Sequence, residues 1–343
     1  MDKKKQMKFN LNNFLLAIKD ILDVRDIEKN NVSKNHSLRV AYLSLKIAEK
    51  LNIKPKEMFD LCAYSLFYHY LKEEHKELFG FDESLDELAK IADFTHSIDE
   101  KFDLSKKQIK NRRDIIEYVG KSDDTRFLDI FFEMSDTTDF WLDLQSENMM
   151  MQYIFSTLYD FTQVLTFEEV FRITTVFGSL ENDIDGLLQN CDKMTQFYHF
   201  ESKDRWTFLI AASMVNFGKL SVPKEILYKK EKLTEDEYEL LKSNIYHNKY
   251  ALNSIYGFQD ITKWATRHQE RLDGSGYPSK IAAKDLSLKE RLMAVLNTYD
   301  ALSSKKVYRD AYSQNNALEI LTLKAKNYHL DATLVEDMKS ICK

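Results

Sequence analysis

Arg267-His268-Gln269-Glu270-Arg271-Leu272-Asp273-Gly274-Ser275-Gly276-Tyr277-Pro278-Ser279 interrupts a chain that otherwise has little to break a helix. Gly274 and Gly276 permit positive φ or close backbone approach, and Pro278 fixes the exit. A generic turn needs far less chemistry. Only eight glycines and three prolines serve 343 residues. Almost half of them, Gly218, Pro223, Gly274, Gly276 and Pro278, fall in two short segments, where function is expected. Elsewhere apolar residues recur at helical spacing. Val40, Leu43, Ile47 and Leu51 share one face and read as a surface helix against a core. Pro55 can open the next helix, which ends near His69, and Thr234 with Glu237 forms a capping-box pattern before another. The fold class is all-α.

The length suits two globular units. With 44% hydrophobic and 30% charged residues, the composition excludes both a disordered chain and a membrane protein. A net charge of −6 argues against a broad nucleic-acid or anionic-membrane surface, so any phosphate site is a local pocket. Cys62, Cys191 and Cys342 have no paired spacing, which excludes a disulfide framework and fits a reducing cytoplasm. No secretion signal is read at the N-terminus. The most apolar run, Trp206 to Val215, is shorter than the ~20 residues a membrane span needs. The aromatic stretch from about residue 125 to 180, through Phe131, Phe140 and Trp141, has helical character and no catalytic spacing.

Glu270, Asp273, Gly274, Gly276, Tyr277 and Pro278 resemble the defining loop of the HD-GYP family, His-His-Glu-x-x-Asp-Gly-x-Gly-Tyr-Pro. Ala211 through Leu227 is similar to the family segment carrying His-Asp-x-Gly-Lys, and Ala294 through Arg309 to its closing helix and basic strip. The resemblance covers much of residues 206–335. Asn35-His36-Ser37-Leu38-Arg39 is similar to the opening of an HD repeat, with His69-Tyr70 where His-Asp would stand. The resemblance implies two HD-like helical bundles in tandem: a reduced repeat at 1–125, a helical connector at 126–180 and an HD-GYP-like domain at 181–343. It also implies a bacterial signalling protein related to cyclic di-GMP phosphodiesterases.

Such hydrolysis uses closely spaced cations held by imidazoles and a bridging carboxylate. At the corresponding positions this chain has Val215-Asn216 for His-Asp, Gln269 for the second loop histidine, Asn297 for a late aspartate, and Asn182 or its neighbour Asp183 for the opening histidine. His247 and His268 remain as candidate metal ligands. Lys219, Arg271, Asp273, Gly274, Gly276, Tyr277, Arg291 and Arg309 are the candidate ligand-binding residues, with Lys219 a point charge for phosphate and the arginines forked donors. Each has a plain role beside the sharp one: His247 packed against tyrosines, His268 bracing Glu270, Tyr277 packed under its own turn. His36, His69, His75 and His96 raise a displaced metal site in the first repeat, but Tyr70 replaces the expected aspartate and no carboxylate shows ligand spacing, so capping and surface roles are expected.

The expected function is therefore a non-catalytic HD-GYP-like signalling protein that acts through protein partners and binds cyclic di-GMP, with no cofactor. The alternative is an active phosphodiesterase using Fe or Mn through Asp183, His247, His268 and Asp300. A third reading is a structural helical scaffold.

Overall fold

The computed structural model describes residues 6–71, 85–106, 112–120, 126–158, 162–180, 183–305 and 310–341. The chain is all-α apart from a two-stranded sheet of β1 (Gln6–Phe9) and β2 (Gln163–Thr166). Two compact units divide it, Asn10–Gln163 and Val164–Lys343, with the N-terminal strand belonging to the latter. Among the described residues no helix is long and apolar enough to cross a membrane.

The first unit holds α1 (Leu11–Asn30), α2 (His36–Lys50), α3 (Pro55–Leu66), α4 (Tyr68–Leu71), α5 (Leu85–Phe102), α6 (Arg112–Val119), α7 (Arg126–Ser135), α8 (Thr138–Asp143) and α9 (Glu147–Leu158). Pro55 opens α3, where a missing N–H costs nothing. The amphipathic surface helix expected after His36 is instead a central one. Nearly every residue of α2 from His36 to Ala48 is buried, because α3, α5 and α9 all pack on it. Leu51, expected on its apolar face, lies at the C-cap and is 36% exposed.

The structure divides the expected connector of residues 126–180. Helices α7 to α9 lie within the first unit, where Phe131, Phe140 and Trp141 are buried and the Trp141 indole N–H donates to the Ser135 carbonyl. Aromatic burial on that scale makes these helices core. From Val164 the chain belongs to the second unit.

That second unit holds α10 (Phe167–Gly178), α11 (Asp185–Phe197), α12 (Ser202–Met214), α13 (Lys224–Leu227), α14 (Glu235–Asn253), α15 (Gln259–Thr266), α16 (Leu288–Ser303), α17 (Gln314–Lys326) and α18 (Ala332–Ile341). Capping boxes start α10 at Thr166, α14 at Thr234 and α16 at Ser287. Each satisfies backbone N–H groups that the helix cannot. Helix α12 packs against α10, α11 and α15 and forms the centre, with Phe208, Ile210, Ala211 and Met214 fully buried. Its C-terminal end leads into a 3₁₀ turn, Phe217–Ser221, seated on α14. Gly218 is required there, since a Cβ would lie 2.2 Å from the Asn244 carbonyl oxygen.

Candidate functional site

The loop after α15 is held together by its own polar groups. Glu270, 1% exposed, accepts the backbone N–H groups of Ser279 at 2.8 Å and Ile281 at 2.9 Å, so its carboxylate ties the two limbs of the loop. The Arg271 guanidinium donates to the carbonyls of His268 (3.2 Å) and Glu270 (3.0 Å) and to Gln269 Oε1 (3.2 Å). Asp273 accepts from the Ser275 N–H (2.9 Å) and hydroxyl (2.7 Å); this bonding holds its carboxyl below the usual carboxylate range. Gly274 has φ +79. At Gly276 a Cβ would lie 2.4 Å from both the Arg271 nitrogen and the Glu270 Cα, so the limbs close only on glycine.

A cavity of about 370 Å³ adjoins this loop, lined by Lys219, Lys229, Lys230, Asn244, His268, Gln269 and Tyr277 among others. The His268 side chain is buried, and its Nδ1 lies 2.9 Å from the Ala265 carbonyl oxygen. A carbonyl only accepts, so Nδ1 carries the proton and Nε2 is left as a lone pair. Burial first, then the charges of Lys219 and Arg271, push its pKa down to about 3. Burial likewise pushes the Tyr277 phenol up to about 12. Among the described lining residues the one carboxylate is Glu231, which is exposed. Lys229 is paired with Glu237 at 2.6 Å.

Several expected site residues lie elsewhere. His247 is on the exposed side of α14, while Asn244 and Asn248 are buried; Asn244 is the residue this helix gives to the cavity. Arg291 donates to the carbonyls of Leu286 and Ala283 and pairs with Asp331, and is not in the cavity wall. Val215, Asn216, Asn297 and Asp300 are buried. A Cβ at Gly186 would sit 3.5 Å from Asp300 Oδ1, which places that carboxylate against α11. Asp183 accepts the N–H of Asp185 at 2.8 Å, a helix-start role. Asn182, Arg309 and His75 lie outside the described residues.

A second constellation is found in the first unit. His36 opens α2, His69 sits on α4 and His96 on α5, and one nitrogen from each lies within 4.8 Å of the other two. His36 Nδ1 is 2.6 Å from Asp99 Oδ2, and its Nε2 is 2.8 Å from His96 Nδ1. Asp99, 2% exposed, also accepts from Arg39 Nε (2.7 Å), Arg39 Nη2 (2.9 Å) and the Leu104 N–H (3.0 Å). Burial works against its ionisation, but His36 and Arg39 outweigh that and hold the carboxyl below its usual range. The Tyr68 ring stacks on His96 at 4.2 Å, and its hydroxyl donates to Asp93.

Residues 175–334 match the family model described as HD domain. That region is similar to an HD domain. Over 121 residues it is 33% identical to a 3'3'-cGAMP-specific phosphodiesterase 1 of Vibrio cholerae, covering 35% of this chain and 28% of that protein. Over 117 residues it is 35% identical to a cyclic di-GMP phosphodiesterase response regulator of Xanthomonas campestris, covering 33% and 30%. The matches thus span about three-tenths of those relatives' lengths. A crystal structure of a cyclic GMP-AMP specific phosphodiesterase of V. cholerae superposes over 98% of each chain with a TM-score of 0.58 at 15% identity, a likeness of fold.

The HD-GYP resemblance implies a multi-cation centre, and the described lining of this cavity does not offer its donors. Around the cavity stand one buried imidazole, His268, two amides, Asn244 and Gln269, and lysines, while Val215, Asn216 and Asn297 are buried and are not among its lining residues. Neutral amides and ammonium groups do not neutralise clustered divalent ions. Among the described residues, the imidazoles that converge belong to the first unit. Their convergence was missed because three separate helices bring them together; the local signal was His96 and Asp99 at i, i+3 on α5.

Proposed function

We propose that the HD domain binds a cyclic dinucleotide in the cavity beside the GYP-like loop, does not hydrolyse it, and passes the signal on through protein contacts. The observation that carries this reading is the cavity's chemistry: Lys219, Lys230 and Tyr277 in its wall beside Lys229, which Glu237 holds, with one imidazole and no buried carboxylate among the described lining residues. Lysines serve phosphate as point charges, and an aromatic ring suits a nucleobase. The volume falls within the range of ligand pockets. The relatives' printed substrates, 3'3'-cGAMP and cyclic di-GMP, set the ligand class to try first.

Those relatives also favour a second reading, a phosphodiesterase with atypical ligands. One experiment separates the two. The purified chain is titrated with cyclic di-GMP and with 3'3'-cGAMP, then incubated anaerobically with each plus Mn²⁺ or Fe²⁺ and the products separated by chromatography. The expected result is binding without conversion, with affinity falling about tenfold or more in Lys219→Ala, the scale of one charge-assisted hydrogen bond. Conversion to a linear dinucleotide or GMP, lost in His268→Ala, would establish the second reading. Absence of binding to either nucleotide would leave a helical scaffold.

A further inference from the structure

We propose that His36, His69 and His96 bind one divalent transition-metal ion, Zn²⁺ in the first instance, within the first unit. Three helices that have no local reason to meet bring these imidazoles together. Asn35 takes a left-handed conformation (φ 61), and its N–H is held by Asp23 Oδ2 at 2.9 Å, which fixes the start of α2 and so His36. Tyr68 stacks on His96 from the turn beside His69. The ring centroids of His69 lie 5.5 Å from His36 and 5.0 Å from His96.

The surroundings are those of a ligand set and not of a simple packed core. A metal-bound histidine commonly gives its other ring nitrogen to a carboxylate. Asp99 takes Nδ1 of His36, and Arg39 holds Asp99 in place with two bonds, so that Nε2 of His36 presents a lone pair. His96 repeats the pattern one step outward: Nδ1 faces His36, and Nε2 lies 3.6 Å from Glu100 Oε2. A cation would replace the proton shared between His36 Nε2 and His96 Nδ1, with that proton carried on His96 Nε2 beside Glu100. A tetrahedral ion with bonds of ~2.0–2.1 Å needs donors ~3.3 Å apart. The 2.8 Å pair must therefore open slightly and the widest separation, within 4.8 Å, close by rotation of the rings. Three imidazoles without thiolate or directly bound carboxylate suit Zn²⁺ and related borderline ions over Mg²⁺ or Ca²⁺.

The test uses the full chain, stripped with chelator and titrated with Zn²⁺ by calorimetry and with Co²⁺ by visible absorption. One ion per chain is expected, with the intense absorption of tetrahedral Co²⁺, and X-ray absorption of the Zn²⁺ form should show imidazole nitrogens at ~2.0–2.1 Å. His69→Ala and the volume-keeping His96→Gln should each weaken binding more than about 100-fold, and Asp99→Asn by about 10- to 100-fold. His268→Ala should leave binding intact, which separates this site from the HD-domain cavity. The proposal is overturned by wild-type protein that binds no ion. It is equally overturned by binding that survives His69→Ala and His96→Gln, or that is lost in His268→Ala.

Discussion

In the first unit three histidines from three helices meet in front of a buried carboxylate, and no GYP-like loop is present. In the second unit such a loop adjoins a cavity whose described lining offers one imidazole, two amides and lysines. The difference teaches that loop architecture and ligand set are separable. Glu270 is bonded to two backbone N–H groups and Gly276 to a steric demand, so this loop closes without any ion. Its retention reports on folding. The side chains lining the cavity report on chemistry. The same division applies in reverse to the first unit, where Asp99 and Arg39 form a buried pair whose geometry also aims an imidazole.

The largest effect that can break this comparison is expected at that pair. Asp99→Asn removes the anion from a buried guanidinium, and breaking such a pair by taking one partner away costs about 3–5 kcal/mol. Hydrogen exchange at α2 and α5 in the metal-free protein should show the opening free energy falling by that amount, with the second unit unaffected. A loss below about 1 kcal/mol would mean that the Lys34 carbonyl and Ser33 hydroxyl, which Arg39 also contacts, are sufficient partners.

Much of the fold was legible because its signals are local. Pro55, the Thr234–Glu237 box and the glycines of the GYP-like loop act within a few residues of where they stand. The position of α2 was not legible in the same way. Val40, Leu43 and Ile47 read as an amphipathic face, but polar His36 on that same face and Arg39 at its flank are also buried because Asp99, 63 and 60 residues away, receives them. A polar residue's burial depends on a partner, and the partner here is long-range. For the same reason Asn244 was missed and His247 chosen: the residue type drew attention, while the turn of α14 decides which of them is inside.

A middling effect tests the cavity's neutral imidazole. Burial and two neighbouring cations place the folded pKa of His268 at about 3, below the ordinary value of 6.5. Below pH 6.5 the unfolded chain therefore takes up the proton first. The stability gained by keeping the ring neutral is complete above that pH and is lost as pH falls toward 3, at up to about 1.4 kcal/mol per pH unit. In His268→Gln the dependence between about pH 6 and 4 should flatten by that slope relative to wild type. Asp99 and Asp273, whose lowered pKa values also withdraw stability at acid pH, contribute equally to both proteins and cancel in the difference. Identical slopes would place His268 in contact with solvent.

The smallest effect is expected at His247, and its smallness is the point. The ring stands exposed on α14 beside Tyr246, whereas Asn244, one turn earlier, lies buried against the cavity. His247→Ala should change stability by no more than about 0.5 kcal/mol, as surface substitutions do, and leave cyclic-dinucleotide affinity unaltered in the same titration. Asn244→Ala should weaken that affinity, because Asn244 lines the cavity. If instead His247→Ala removed binding or a metal-dependent turnover, α14 would have to rotate to bring that imidazole inward, Asn244 and Asn248 would turn outward, and Gly218, which fits only against that asparagine face, would lose the contact that requires it. The close approach at Gly218 therefore argues for the orientation that puts Asn244, and not the imidazole, on the cavity side.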